Sequence, residues 1–147
     1  LRVNGSMEYK ITSKLNDVNS LEMMINHAIT GSMHDAHIKD FINPYYSSCG
    51  CIIYIIVKPG KIGKIIGVEK VKALPEIIDV VPTYRKGDVI YKSSVGTLKQ
   101  VLLKVFLSAE TKTSLIDAIQ HVQKMIEIYD IHGESMILSG VEATDLL

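Results

Sequence analysis

The chain has 147 residues, with 16 Lys plus Arg against 16 Asp plus Glu, and 47% of it is hydrophobic. That length and composition fit one domain, or a small domain with an added segment, and exclude wholesale disorder. Zero net charge leaves no field drawing the chain to nucleic acid or an anionic membrane. The apolar run Cys51 to Val57 is too short to span a bilayer, and the amino terminus lacks a signal-peptide core, so a cytoplasmic domain is expected.

In chain order, residues 1 to 16 read as an irregular lead-in. Val18, Leu21, Met24, Ile25, Ala28 and Ile29 then fall at helical spacing. Asn19 or Ser20 can cap that helix, and Gly31 can end it. A long loop follows over residues 31 to 50, with a subdomain boundary expected near 44 to 50. Cys51 to Val57 is β-branched and aromatic, and Pro59-Gly60 ends it, which predicts a buried strand and a turn. A second apolar patch, Ile62 to Val68, precedes a short helix stopped by Pro75.

Glu76 to Tyr84 predicts a strand, Arg85 to Asp88 a turn, and Val89 to Tyr91 a short extended piece. After a polar loop, Gln100 to Ser108 predicts another strand. Thr111 to Tyr129 carries Leu115, Ile119, Val122, Met125, Ile126 and Tyr129 on one stripe, the clearest helix signal in the chain. Ile131 to Leu138 predicts a last short strand, and residues 139 to 147 a frayed tail. From residue 50 the order is that of an α+β, ferredoxin-like β-α-β-β-α-β subdomain, a fold that hosts many functions. The expected division is 1–49, 50–138 and 139–147.

Motif chemistry is sparse. Cys49 and Cys51 flank Gly50, too tight for an ordinary disulfide and outside the usual zinc spacing. A metal site drawn from His34, His37, Cys49 and Cys51 therefore yields to a simpler reading, in which Cys51 points inward from a strand. Gly60-Lys61-Ile62-Gly63-Lys64 is too short for a phosphate loop, and Ile65 stands where a magnesium-binding hydroxyl belongs. Lys58, Lys61, Lys64, Lys70 and Lys72 read as a solvated basic face. Tyr54 and Phe106 sit in aliphatic surroundings without the motif of an RNA-binding sheet. No nucleophile elbow or paired-carboxylate motif is present.

Three stretches resemble a known family, one of them the helix Asn19 to Ala28, which is similar to the segment after that family's signature. Leu1-Arg2-Val3-Asn4-Gly5-Ser6 resembles the tail of the Glu-x-Asn-x-Arg-x-x-Gly signature of ATP-grasp ligases, with Arg2 on the Arg and Gly5 on the Gly. Pro59-Gly60-Lys61-Ile62-Gly63-Lys64-Ile65-Ile66-Gly67-Val68-Glu69, then Leu74-Pro75-Glu76-Ile77, is similar to the "P-G-x-I-x-x-I-x-G-x-E … L-P-x-[IV]" run in the amino-acid and dipeptide ligase branch. Lys86-Gly87-Asp88, a Ser-rich turn ending in Gly96, and Ala109 before the last helix follow the same order. The resemblance covers nearly the whole chain. A second alignment puts Asn4 on the signature Asn, Arg2 on the Glu and Ser6 on the Arg, and destroys the metal site. In a third reading the natural chain starts at Met7 and no catalytic residue remains.

The resemblance implies the carboxy-terminal part of an ATP-grasp carboxylate–amine ligase of the amino-acid, dipeptide or carbamoyl-phosphate-synthase-like branch. It implies ATP and magnesium for the parent enzyme, an acyl-phosphate intermediate, and an amino-acid-like substrate. Arg2 would be the phosphate contact. No cofactor-binding or metal-ligating residue is expected in this chain, which should be inactive without the rest of the enzyme. The contrasting expectation is a stand-alone regulatory or protein-interaction domain. An open reading frame of about 400 codons would separate the two. The apolar stripe of the first expected helix needs a partner, which implies a homo-oligomer.

Overall fold

The computed structural model describes residues 5–33, 46–140 and 142. The helices are α1 (Tyr9–Asn16), α2 (Ser20–Thr30), α3 (Val68–Lys72) and α4 (Lys112–Met125). The strands are β1 (Cys49–Ile56), β2 (Gly60–Ile66), β3 (Ile77–Pro82), β4 (Val89–Ile90), β5 (Val101–Ala109) and β6 (Glu127–Asp130). The result is α+β, built on two small antiparallel sheets ordered β1-β5-β3 and β4-β2-β6.

β5 is the centre of the first sheet. Its run Val101-Leu102-Leu103 and Val105-Phe106-Leu107 is buried on both faces, which explains its near-continuous apolar sequence. Ile53 and Ile55 of β1, with Val57 just past its end, share one face with Leu103, Val105 and Leu107. That face packs under α4 through Leu115, Ala118, Ile119 and Val122. Cys51 joins the edge of this core, as an inward-pointing strand residue should. The ferredoxin-like order places a fourth strand beside β1, and Met136 to Leu138 begin one there. Lys58 donates to the Met136 carbonyl at 2.8 Å, and Leu138 donates to that of Ile56 at 3.0 Å.

The opposite face carries Gly50, Phe106 and Asp79, and α1 lies on it. A β-carbon on Gly50 would stand 2.6 Å from Cγ2 of Ile11, so glycine lets the helix approach the strand. The expected irregular lead-in is corrected here: Ile11 and Leu15, one helical turn apart, face the sheet as part of α1. α2 follows the expected boundaries. The Asn19 side chain accepts from Leu21 N at 3.2 Å and Glu22 N at 3.3 Å. Gly31, at φ 75, closes the helix with its N–H on the His27 carbonyl.

Two further expectations shift. The stripe to Tyr129 does not stay helical: α4 stops at Met125, Ile126 turns extended, and β6 begins at Glu127. Ile126, exposed Glu127 and Ile128 alternate at strand period, and no Gly or Pro marks the change. The second apolar patch is strand β2, which pairs with β6 and buries Ile62. Gly67, at φ 90, turns the chain from β2 into α3; a side chain there would collide with the Met125 carbonyl. The last expected strand is shorter than 131–138, reduced to bridges Tyr129–Ser135 and Val57–Ile137. Asp130 shapes the turn before it, accepting from His132 N at 2.8 Å and Glu134 N at 2.9 Å.

Candidate functional site

Arg2 lies outside the described residues, as do Leu1 to Asn4. The segment that follows them is placed. Gly5 offers its carbonyl to Nζ of Lys104 at 3.0 Å, tying the lead-in to β5. α1 is fastened five residues later. Lys10 Nζ donates to Oδ2 of Asp79 on β3 at 2.6 Å and lies 5.9 Å from the Phe106 ring centroid. The Lys10 hydrogen bond holds the Asp79 carboxyl below its ordinary range, and the Asp79 hydrogen bond holds the Lys10 ammonium above its own. This arrangement positions the entering segment over the sheet and supplies cationic groups beside it. It supplies no nucleophile.

The other sequence candidates are dispersed. His34 and His37 lie outside the described residues, while Cys49 and Cys51 are free thiols. Burial pushes the Cys51 thiol up to about 11, away from the thiolate that metal binding or attack needs. Among the described residues no group of three or more His, Cys, Asp or Glu is placed to hold a metal ion. Gly60 to Lys64 lies in β2, so its backbone N–H groups serve a strand instead of cradling an anion. Phe106 is fully buried and cannot stack on a base. Among the described residues no helix is long and apolar enough to cross a membrane.

Sequence reasoning missed the anchors. Lys104 interrupts the aliphatic run of β5, a signal that was visible. Gln100 gave none: it is buried, donating from Nε2 to the Val57 carbonyl at 2.9 Å and accepting from Gly96 N at 2.6 Å. It also missed Gln123, whose buried Nε2 has no hydrogen-bond partner among the described residues. That residue lines a pocket of about 390 Å³ beside β1.

No family model and no curated protein sequence matches the chain. Among solved structures, the crystal structure of L-amino acid ligase from Bacillus licheniformis aligns with 88% of this chain at a TM-score of 0.69 and 17% identity. The chain thus shares the fold of part of that ligase. The aligned chain covers 32% of that ligase, so it spans about a third of the neighbour's length. The α+β fold agrees with the one that the sequence resemblance implied.

Proposed function

We propose that the chain is the carboxy-terminal part of an ATP-grasp carboxylate–amine ligase. The observation that carries this reading is the fold shared over 88% of the chain with about a third of an amino acid ligase. The Pro59 to Glu69 run supports it independently, since it was matched to the same branch from sequence. The parent enzyme phosphorylates a carboxylate with ATP and lets an amine displace the phosphate. On this reading, residues beyond those described hold the nucleotide and magnesium. Those sites belong to the rest of the parent. Arg2 is its phosphate contact, where a guanidinium gives fixed, permanently charged, bidentate donors.

The reading divides the chain at 1–49, 50–138 and 139–147. It also leaves α2 needing cover. Ile25 is 51% exposed and Ile29 77%, and burying each contributes roughly 1.5–3 kcal/mol. The parent covers that face in the whole enzyme, and a second copy covers it when the chain stands alone. Magnesium-dependent ATP hydrolysis, assayed with pairs of amino acids, tests the proposal on the complete open reading frame and on the 147 residues. The complete protein should turn over and lose most of its rate in Arg2→Ala, while the isolated chain neither hydrolyses ATP nor binds it at micromolar concentration. Turnover by the isolated chain overturns the reading. A complete protein that binds free amino acids and never consumes ATP supports the stand-alone regulatory domain instead.

A further inference from the structure

We infer that the pocket beside β1 receives an extended, uncharged, aliphatic peptide segment from another protein, which completes the sheet as a fourth full strand. Four consecutive residues, Ile53 to Ile56, line it, so it follows the edge of β1 instead of one face. β1 pairs with β5 on its other side along its whole length. On the pocket side the pairing is brief. Leu138 N reaches the Ile56 carbonyl, the bridge from Ile137 meets Val57, and the chain then leaves the strand at Ser139 and Gly140. Because Ile56 presents its carbonyl outward, the two-residue repeat turns the N–H and C=O of Tyr54 and Ile52 to the same edge. Among the described residues no hydrogen bond reaches them.

The chemistry of the lining selects the occupant. Ile126, Ile137 and Leu138 make it aliphatic, and among the described residues no charged side chain borders it. A fatty acid or hydrocarbon would fill the volume and leave the edge groups of two residues unpaired, which is costly for backbone amides. A peptide offers carbonyls and N–H groups alternately at the required repeat of about 6.6 Å per residue pair. The orphaned Gln123 Nε2 is a further donor for a carbonyl. Gly140 packs against the Gln123 side-chain amide so closely that a β-carbon there would collide with Oε1, which holds the amide in place. The bridge between Ile137 and Val57 fixes the direction: the incoming strand lies in line with it, antiparallel to β1. This inference does not rest on the ligase reading.

The test is amide NMR of the full 147-residue chain titrated with acetyl-Val-Ile-Val-amide, with the same peptide N-methylated at its central residue, and with hexanoate. The first peptide should shift the Ile52 and Tyr54 amides and the Gln123 side-chain NH₂ at millimolar concentration, and slow hydrogen exchange at Ile52 and Tyr54. N-methylation should abolish those effects. Gln123→Leu, which keeps the volume and removes the donor, should weaken binding by about fivefold to tenfold. Its spectral dispersion shows that it folds, and Gln123→Glu, kept as a second variant, should repel the peptide carbonyl. Equal binding of the N-methylated peptide or of hexanoate reduces the pocket to an apolar filling site and overturns the proposal. So does silence at Ile52 and Tyr54. Shifts at the same amides that grow with protein concentration alone would show that a second copy occupies the edge, and would overturn it equally.

Discussion

The two faces of the β1-β5-β3 sheet are covered in different ways. Under α4, Leu103, Val105, Leu107, Leu115 and Val122 close a buried aliphatic core. Under α1, cover depends on one buried ring, Phe106, one close approach at Gly50, and the ion pair of Lys10 with Asp79. Neither α1 nor α2 has a fully buried residue. The first face has its apolar partner within the chain. The second is held by a few directional contacts, as expected of a surface whose remaining cover comes from elsewhere.

The largest test of that contrast exchanges single side chains. Leu103→Ala should lower the unfolding free energy by about 2–5 kcal/mol, because it removes a buried side chain and leaves a cavity. Ile29→Ala, on the exposed turn of α2, should change it by less than about 0.5 kcal/mol at low protein concentration. Urea denaturation measures both. A comparable cost for the two would mean that the amino-terminal helices belong to the core.

Removing the weaker face is the next step down. A chain beginning at Ser48 lacks α1 and α2 and uncovers Phe106. It should still unfold cooperatively, with stability lowered by roughly 1.5–3 kcal/mol for the exposed ring. Light scattering should show the intact chain associating at high micromolar concentration and the shortened one monomeric. A monomeric intact chain refutes self-association through α2. A shortened chain that associates equally moves the contact elsewhere, and one that fails to fold would show that α1 completes the sheet.

The ion pair gives a smaller, pH-dependent effect. Asp79 has a lowered folded pKa, so its contribution is present above its unfolded value near ~3.9 and is lost as pH falls through the folded one. Lys10 is raised from 10.5, so its contribution is present below that value and is lost as pH rises through the folded one. With side chains 26% and 37% exposed, the pair contributes at most about 1 kcal/mol. Amide protection factors across α1 should therefore fall below about pH 4, and Asp79→Asn should remove most of that acid dependence. An unchanged profile in the variant would assign it to other carboxylates.

How much of this was legible follows the same contrast. α2 was readable from both ends, since Asn19 and Gly31 are local signals that need no partner. The β1 and β5 strands were readable because aliphatic runs bounded by turns have one economical use. α1 was missed, since Ile11 and Leu15 form a helical pair only against a sheet that no local pattern reveals. The end of α4 was missed because Val122, Ile126 and Tyr129 satisfy the helical stripe while Ile126 and Ile128 satisfy the strand alternation. Tertiary pairing of β6 with β2 decided it. The ion pair of Lys10 with Asp79 joins residues 69 apart, and the open edge of β1 exists only once every other strand is placed.

Cys51 isolates the tight face. It borders the α4 core, and burial raises its thiol from 9.0 to about 11. At pH 8 that shift of about two units reduces the thiolate, the species that alkylates, roughly a hundredfold relative to an unhindered thiol. Iodoacetamide should thus modify Cys51 in the native chain far more slowly than in urea, as peptide mapping of the labelled protein would show. The same shift has a sign for stability. An acid whose folded pKa is raised keeps its proton in the folded state while the unfolded state loses it, so stability falls as pH rises above 9.0. Cys51→Ala should flatten that alkaline limb and leave the acid limb set by Asp79 untouched. Because the thiol belongs to the α4 face and the carboxylate to the α1 face, the acid limb and the limb between pH 9.0 and 10.5 titrate the two faces separately, and Lys10 enters only above 10.5. Rapid alkylation of Cys51 in the native chain would show that the α4 face opens as readily as the other, and would erase the contrast.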